Sequence, residues 1–390
     1  MTLKNKKIVF LLTNDFTFDS RVLKEANSAK KAGMKVTVLG RKSKNTSFKQ
    51  EIDGIKIIRV QSIIDKIWAK ISKTGGNEAG GSQSTGQPKL FIDLISPINL
   101  WLINRLFVQE AVRIKPHLVQ ANDSDTLLAG YALKKKGSKL VYDAHELYLE
   151  SIRLKPFWVR WFFGSLEKKL GRNIDGVFSV CQPILDTLNH KYGLINLPQN
   201  ILYNTPPYQK SDFVPPGRRI KILYLGAYSQ KRKMDYLYRA IKRIKNTQMT
   251  VMGPGWDESR AGNITILPPV APEEVVNMAQ SYDIGVFPYV ADNLNQLYSM
   301  PNKLFEYMMA GLAIAASDLP EVKKVITEAE NGVLFNPRST KDITIKLNYL
   351  VKNKEILTKF KQNSLKFAKK YSWENQEKKQ LKLYEEILEK

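Results

Sequence analysis

Two hydrophobic patterns alternate along the chain. Short apolar, β-branched runs show little alternation between faces, which is how strands covered on both sides read. In the first half they predict strands at Ile8–Leu12, Lys35–Leu39, Ile55–Val60, Leu118–Ala121, Leu140–Asp143 and Val177–Val180. In the second half the runs are Ile220–Leu225, Met249–Met252, Ile264–Leu267, Ile284–Phe287, Ala313–Ala316 and Val333–Phe335. Between them the period becomes helical. Arg21–Ala32 closes at Gly33, and Ser124–Lys136 opens after Asp123, a good N-cap residue, and closes at Gly137. Further helices are expected at Lys233–Ile244, Pro272–Ser281, Pro301–Ala310 and Ser339–Val351. Strand–helix alternation of this kind predicts doubly wound α/β domains with parallel sheets.

The alternation breaks twice. Ser72–Pro88 is polar and rich in Gly and Ser, and it reads as a mobile surface loop inserted in the first domain, because strands resume beyond it. The stretch Asn204–Arg219 holds Pro206, Pro207, Pro215 and Pro216, after which the alternation restarts. The division that follows is a first domain over 1–205, a linker over 206–219 and a second domain over 220–372, facing each other across a cleft. At 390 residues the chain is long enough for two separate cores.

Charge narrows the possible partners. The chain carries 61 Lys and Arg against 37 Asp and Glu, a formal net charge of +24. Residues 1–200 hold 32 of these basic residues and 17 of the acidic ones, so the excess leans to the first half. Such a field attracts nucleotides, nucleic acid or an anionic membrane. The excess is spread out and lacks the basic–aromatic motif of a nucleic-acid reader, which argues against nucleic acid. One cysteine, Cys181, excludes an intramolecular disulfide framework, and three histidines leave little for metal ligation. The apolar run near the N-terminus is too short for a signal peptide. The nearest approach to a membrane span, Leu90–Val108, contains Asp93, Pro97 and Arg105. A cytoplasmic location is expected, with the inner face of the plasma membrane as a surface for peripheral contact.

Chemistry concentrates at strand ends and helix starts. In Ser299-Met-Pro-Asn-Lys-Leu-Phe-Glu-Tyr-Met-Met-Ala-Gly311, Ser299 can cap, Pro301 suits a first turn and Gly311 suits the end. Such a start, with Pro301 at the turn, offers the free N–H groups of Asn302 and Lys303 to a diphosphate, and Glu306 lies one turn inside, able to accept ribose hydroxyls. Gly226 closes the strand Ile220–Leu225, and Lys231, Arg232 and Lys233 follow where a leaving diphosphate gathers charge. In Val141-Tyr-Asp-Ala-His-Glu-Leu-Tyr-Leu-Glu-Ser151, His145 and Glu146 stand just past a strand end. Asn14 and Asp15 follow the first strand, Arg21 opens the first helix, and Asn122-Asp-Ser-Asp125 contains an Asp-x-Asp in which Asp123 has a capping task. Each feature taken alone also has a plain reading as a solvated helix start or a structural histidine.

In order along nearly the whole chain, these segments resemble the family-four retaining glycosyltransferases of the glycosyl transferases group 1 type. The resemblance implies a GT-B fold: two Rossmann-like, doubly wound parallel-sheet domains, with residues 373–390 forming a helix that crosses back to the first. It implies that Glu306 holds the donor ribose, that the turn before it and Gly226, Lys231 and Arg232 hold the diphosphate, and that Gly253, Pro268 and Val270 line the base pocket. His145 would be the catalytic residue beside the reacting carbon, where a neutral imidazole or its backbone carbonyl can hold the sugar. Asn14, Asp15, Arg21, Asp123 and Glu146 would face the acceptor. Tyr298 stands where many relatives carry a second glutamate, and Ala227 where they carry arginine. The implied reaction moves a sugar from a nucleotide diphosphate sugar to a glycan or lipid-linked acceptor in cell-surface polysaccharide or lipopolysaccharide synthesis, with no cofactor and no metal. The leaving phosphate itself would assist deprotonation of the acceptor. The competing readings are a sugar-nucleotide epimerase or hydrolase on the same scaffold, and an inactive nucleotide-sugar binder.

Overall fold

The computed structural model describes residues 3–17, 19–74, 89–228, 234–256 and 264–390. The chain forms two compact units. The first comprises Met1–Leu202 with Glu377–Lys390, and the second Tyr203–Gln376.

In the first unit the strands are β1 (Lys7–Leu11), β2 (Lys35–Arg41), β3 (Lys49–Ile52), β4 (Ile55–Val60), β5 (Leu118–Asn122), β6 (Lys139–Ala144), β7 (Gly176–Ser179) and β8 (Gln199–Ile201). They form one sheet in the order β3-β4-β2-β1-β5-β6-β7-β8, parallel throughout except that β3 runs antiparallel to β4. The buried runs Ile8–Leu11 and Val141–Ala144 are sealed from water on both faces, which explains why they are continuous rather than alternating. Neither β3 nor β8 was expected. β3 (Lys-Gln-Glu-Ile) is an edge strand with an exposed, polar surface, and β8 is three residues long, so neither carries an apolar run.

In the second unit β9 (Ile220–Leu225), β10 (Thr247–Met252), β11 (Ile264–Leu267), β12 (Ile284–Phe287), β13 (Ala313–Ser317) and β14 (Gly332–Phe335) form a wholly parallel sheet in the order β11-β10-β9-β12-β13-β14. Two apolar clusters cover its faces. One includes Leu304, Phe305, Tyr307 and Met308 from the helix Asn302–Met309, and the other includes Ile241, Leu347 and Leu350.

Several local expectations are corrected. Residues 72–74 close the helix Ile63–Thr74 rather than opening the expected loop. The rest of that segment, 75–88, lies outside the described residues. Leu90–Val108 folds within a 26-residue helix, Lys89–Ile114, with Pro97 inside it. No helix among the described residues is long and apolar enough to cross a membrane. The helix expected over Ser124–Lys136 divides into a 3-10 turn, Ser124–Thr126, and a helix, Leu127–Lys134. Pro301 is the residue before its helix rather than a member of it, and Ser299 does not cap: its Oγ donates to the Gln296 carbonyl at 2.9 Å.

The last helix, Trp373–Glu389, sends its second half into the first unit. Gln380 Nε2 donates to the Glu25 carbonyl at 3.0 Å, and the Tyr384 hydroxyl donates to Gln120 Oε1. Glu25, Gln120, Gln380 and Tyr384 are all fully buried, so the carboxyl-terminal helix closes over a polar interior layer.

Candidate active site

In a doubly wound sheet the chain reverses its direction of growth at one point, and ligands bind outside the carboxyl ends of the strands there. In the first unit that point lies between β1 and β5, since the chain builds outward from β1 through β2 to β4 and then returns to β5. Thr13 follows β1, Asp123 and Asp125 follow β5, and His145 follows β6. The structure brings these together. The Thr13 hydroxyl donates to Asp125 Oδ2 at 2.5 Å, and the His145 backbone N–H donates to Asp123 Oδ1 at 3.0 Å.

Asp123 has no capping bond, which corrects its expected task. It sits at φ +62°, in the left-handed region, and both its oxygens are directed at His145 instead. The strained backbone turns the carboxylate away from the helix start. His145 is held from both sides. Its Nδ1 lies 3.2 Å from Asp123 Oδ2 and its Nε2 lies 3.0 Å from Asp143 Oδ2. Burial disfavours the imidazolium, but the charges of Asp123 and Asp143 outweigh that penalty and raise the ring's pKa well above the ordinary histidine value. Both ring nitrogens of His145 thus face carboxylates, a setting that favours the imidazolium over the expected neutral imidazole, and about 24% of the side chain is exposed.

Arg21 is likewise corrected from a surface position. It is buried, and its guanidinium faces inward, donating through Nε and NH2 to Asp143 at 3.1 and 2.7 Å and through NH1 to the Leu202 carbonyl at 2.7 Å. Its Nε also lies 3.0 Å from Glu25 Oε1. Arg21 is therefore a positioning residue for Asp143. Burial would raise the Asp143 carboxyl, but the flanking cations Arg21 and His145 hold it far below the usual carboxylate range. Glu25 takes the opposite course. Burial first and Asp143 second push it up to about 8, against the pull of Arg21. The result is a ladder, Glu25–Arg21–Asp143–His145–Asp123, in which the imidazolium is the partly exposed cation. Sequence reading missed Asp143 and Glu25 as functional groups and noted Asp125 only within an Asp-x-Asp string. The first two lie within apolar or helical patterns, with no signal beyond the rarity of a carboxylate inside a buried strand.

The remaining residues expected on the acceptor side sit nearby. Asn14 Nδ2 donates to Asp19 Oδ2 at 2.8 Å, and Asn14 Oδ1 accepts from the Phe16 N–H at 2.8 Å. Asp15 Oδ1 accepts from the Thr17 N–H at 3.1 Å, while Arg59 Nε donates to the Asp15 carbonyl at 2.7 Å. These bonds fold the loop after β1 onto itself. Glu146 is half-buried and accepts from the Ser151 hydroxyl, and burial raises its pKa.

Asp125 gives a pH-dependent test. Burial and the neighbouring Asp123 push its carboxyl up to about 7 despite the Thr13 hydroxyl. The folded protein therefore keeps a proton that the unfolded chain releases at the ordinary value of 3.8. Stability from this group is full below that value and is lost as pH rises toward about 7. Asp125→Asn should flatten this fall, by up to about 1.4 kcal/mol per unit of pKa shift removed. The comparison to make is the Tm difference between pH 5 and pH 8 in the two proteins. An identical pH profile would rule out the buried proton.

In the second unit the chain reverses between β9 and β12. Gly226 follows β9 at φ +137° and Gly253 follows β10 at φ +148°. A Cβ on Gly253 would stand 2.4 Å from the Gly226 carbonyl carbon, so the two turns pack backbone to backbone. A Cβ on Gly226 would stand 2.4 Å from Lys303 Nζ, so the space freed by that glycine is used by the chain's own lysine. Trp256 Nε1 donates to the Gly226 carbonyl at 3.0 Å, and Lys303 Nζ lies 5.0 Å from the centre of the Tyr224 ring. Lys303 thus carries its charge to the glycine turn from the first turn of the helix Asn302–Met309.

That helix is anchored firmly. The Tyr307 hydroxyl accepts from the Leu225 N–H at 2.9 Å and donates to the Val286 carbonyl at 3.3 Å. Leu304, Phe305, Tyr307 and Met308 are buried, while Asn302 is exposed and Glu306 half-buried. No side chain caps its first turn. Its N–H groups, the Lys303 ammonium and the Gly226 turn provide a setting for a phosphate anion. Pro268 is exposed and Val270 half-buried past β11, whose Leu267 carbonyl accepts from the Gly253 N–H at 3.3 Å. Lys231, Arg232 and Lys233 lie outside the described residues. Among the described residues no cluster of three His, Cys, Asp or Glu side chains is placed to hold a metal.

Comparison with known proteins bears on the fold and on the class of the second unit. Residues 219–353, most of the second unit, match the family model described as glycosyl transferases group 1. No curated protein matches the chain in sequence. Solved structures match it over almost its full length. The sucrose-phosphate synthase of Thermosynechococcus elongatus is 14% identical with a TM-score of 0.73, covering 98% of this chain and 99% of its own. Anabaena HepE in complex with UDP-glucose is 13% identical with a TM-score of 0.64, covering 98% of each chain. A variant of S. aureus TarM in complex with Fondaparinux, alpha-GlcNAc-glycerol and UDP is 12% identical with a TM-score of 0.68, covering 97% of this chain and 99% of its own. The chain therefore has the GT-B fold, two parallel-sheet α/β domains, and carries a glycosyl transferases group 1 domain in its second unit.

Proposed function

We propose that this protein is a retaining, metal-independent glycosyltransferase that moves a hexosyl group from a nucleotide diphosphate sugar to a glycan or lipid-linked acceptor. The observation that carries the reading is the meeting of the uncapped Asn302–Met309 helix start, the Lys303 ammonium and the Gly226 turn at the carboxyl end of one sheet. A diphosphate leaving group needs fixed positive potential where its charge develops, and these groups supply it without reorganisation. Glu306, one turn further on, holds the ribose hydroxyls. In the first unit the His145 imidazolium, fixed by two carboxylates, orients the sugar electrostatically rather than by proton transfer. Asn14, Asp15, Asp123 and Glu146 border the acceptor. The reading places the enzyme in the cytoplasm, at the inner face of the plasma membrane, in the synthesis of cell-surface polysaccharide or lipopolysaccharide. HepE and TarM bind UDP or UDP-glucose, which makes UDP-sugars the first donors to test.

Thermal-shift screening against UDP-, GDP- and ADP-sugars should reveal one base that raises Tm. With that donor and an acceptor, transfer should continue in excess EDTA, and the product should keep the donor's anomeric configuration by NMR. Loss of all activity in EDTA, recovered with Mn²⁺, would overturn metal independence. Equal donor consumption with and without acceptor would favour the hydrolase or epimerase reading. A Tm shift with no turnover on any acceptor would favour the inactive binder.

A further inference from the structure

In the first unit two helices expose aromatic side chains to the same side. Pro97, Ile98 and Trp101 of Lys89–Ile114 and Trp158, Trp161 and Phe162 of Phe157–Gly171 line an open apolar groove of about 480 Å³. Trp161 is 63% exposed, and beside the groove Phe157 is 79% and Leu154 82% exposed. A run of exposed large apolar side chains of this kind marks an interaction surface. The helix Phe157–Gly171 does not need this face for its own packing, because Val159, Phe163 and Leu170 already bury the opposite one.

On the helix Phe157–Gly171 the exposed charge has one sign. Arg153, Arg160, Lys168, Lys169 and Arg172 are exposed, and Glu167, the only carboxylate between Arg153 and Arg172, is buried against Lys191 and Ser124. Arg105 lies with its guanidinium 5.6 Å from the Trp101 ring, on the side of the other helix. At 100° per residue, Phe157, Trp158, Trp161, Phe162, Lys168, Lys169 and Arg172 share one face of their helix. Aromatics occupy its first two turns and cations its last two. A helix patterned along its length in this way suits a tilted position at a bilayer surface, with the aromatic end in the acyl boundary and the basic end among headgroups.

We propose that this aromatic groove and its basic rim dock the first unit on an anionic lipid bilayer. The occupant is a membrane surface rather than a protein, because tryptophan and phenylalanine insert at the interface while the exposed cations Lys168, Lys169 and Arg172 on the same face meet a continuous sheet of negative headgroups. The proposal gives a physical basis to the membrane-side location proposed above and rests on that location, not on the transfer chemistry.

Co-sedimentation of the full chain with vesicles of phosphatidylcholine alone, and with added phosphatidylglycerol, tests it. Binding should be at least tenfold stronger to the anionic vesicles, and brominated acyl chains should quench tryptophan fluorescence. Trp161→Ser with Phe162→Ser should cut binding at least tenfold, and Lys168→Glu with Lys169→Glu should remove most of the dependence on anionic lipid, since each basic side chain near such a surface is worth about fivefold. Both variants change exposed residues and should keep the wild-type Tm and its shift with donor nucleotide. An absent nucleotide shift in every protein would count against the donor site and leave the docking result intact. Equal binding to neutral and anionic vesicles, no loss in the aromatic variant, or a dimer in lipid-free solution that this variant dissociates would overturn the proposal.

Discussion

Asp143→Ala is expected to destabilise the protein by about 3–5 kcal/mol at pH 7, the range found when one partner of a buried ion pair is removed. Asp143 is fully buried at the end of β6 and receives Arg21 through two hydrogen bonds and His145 through a third. Without it, the Arg21 guanidinium stays buried with Glu25 as its remaining carboxylate, and losing the repulsion of Asp143 lets Glu25 ionise more readily, which offsets only part of the loss. Because the Asp143 carboxyl is held far below its ordinary 3.8, its contribution is complete above that value and is lost only as the solution becomes strongly acidic. The loss should therefore be full at neutral pH. Asp143→Asn keeps the shape and should cost less. Urea unfolding gives the stability, and an NMR titration of His145 gives a second readout, since its pKa should drop towards the ordinary value once Asp123 is its only anionic partner. A loss under about 1 kcal/mol with an unmoved histidine would mean that the ladder carries no such weight.

The parallel strands were legible because burial on both faces writes a continuous apolar run into the sequence. Ile55–Val60, Ile220–Leu225, Ile264–Leu267 and Ile284–Phe287 match to the residue. Polar or minimal strands such as β3 and β8 write no such run. The helix Pro320–Ala329 was also not anticipated, although Pro320 and the αL residue Glu330 mark its ends. At the candidate site, sequence identified residues by position past a strand end, and that placed Asn14, Asp123 and His145 past the ends of neighbouring strands of one sheet. Side-chain direction was not legible. The inward turn of Arg21 and the aim of the Asp123 carboxylate at His145 follow from contacts between residues more than twenty positions apart.

The two units use different means to fix a charge. In the first, a buried ladder of side chains sets the protonation of one imidazole. In the second, backbone does most of the work: two glycine turns pressed together, a helix start without a cap, and one lysine brought to the turn from the first helical turn. The first arrangement is sensitive to the loss of any one carboxylate. The second should tolerate side-chain changes on the helix surface while responding strongly in ligand binding, because the helix is anchored independently by the Tyr307 hydroxyl and by buried apolar contacts.

That independence sets up the last expectation. Glu306→Gln should lower affinity for the nucleotide roughly tenfold to a hundredfold, the worth of about 1.5–3 kcal/mol for a hydrogen bond to a charged group. The substitution keeps the side chain's size, and Glu306 is half-buried between Phe305 and Tyr307, which hold the helix in place, so the Tm without ligand should stay close to the wild-type value. Lys303→Met should act on a different part of the same ligand. The Lys303 ammonium meets the Gly226 turn, where a diphosphate would sit, so its loss should weaken UDP far more than uridine. Glu306→Gln, acting on the ribose, should weaken both about equally. Calorimetry with UDP and uridine on the three proteins separates the roles. Unchanged UDP affinity in Glu306→Gln would remove the ribose role. Equal losses for UDP and uridine in Lys303→Met would mean that the lysine holds up the turn rather than the phosphates.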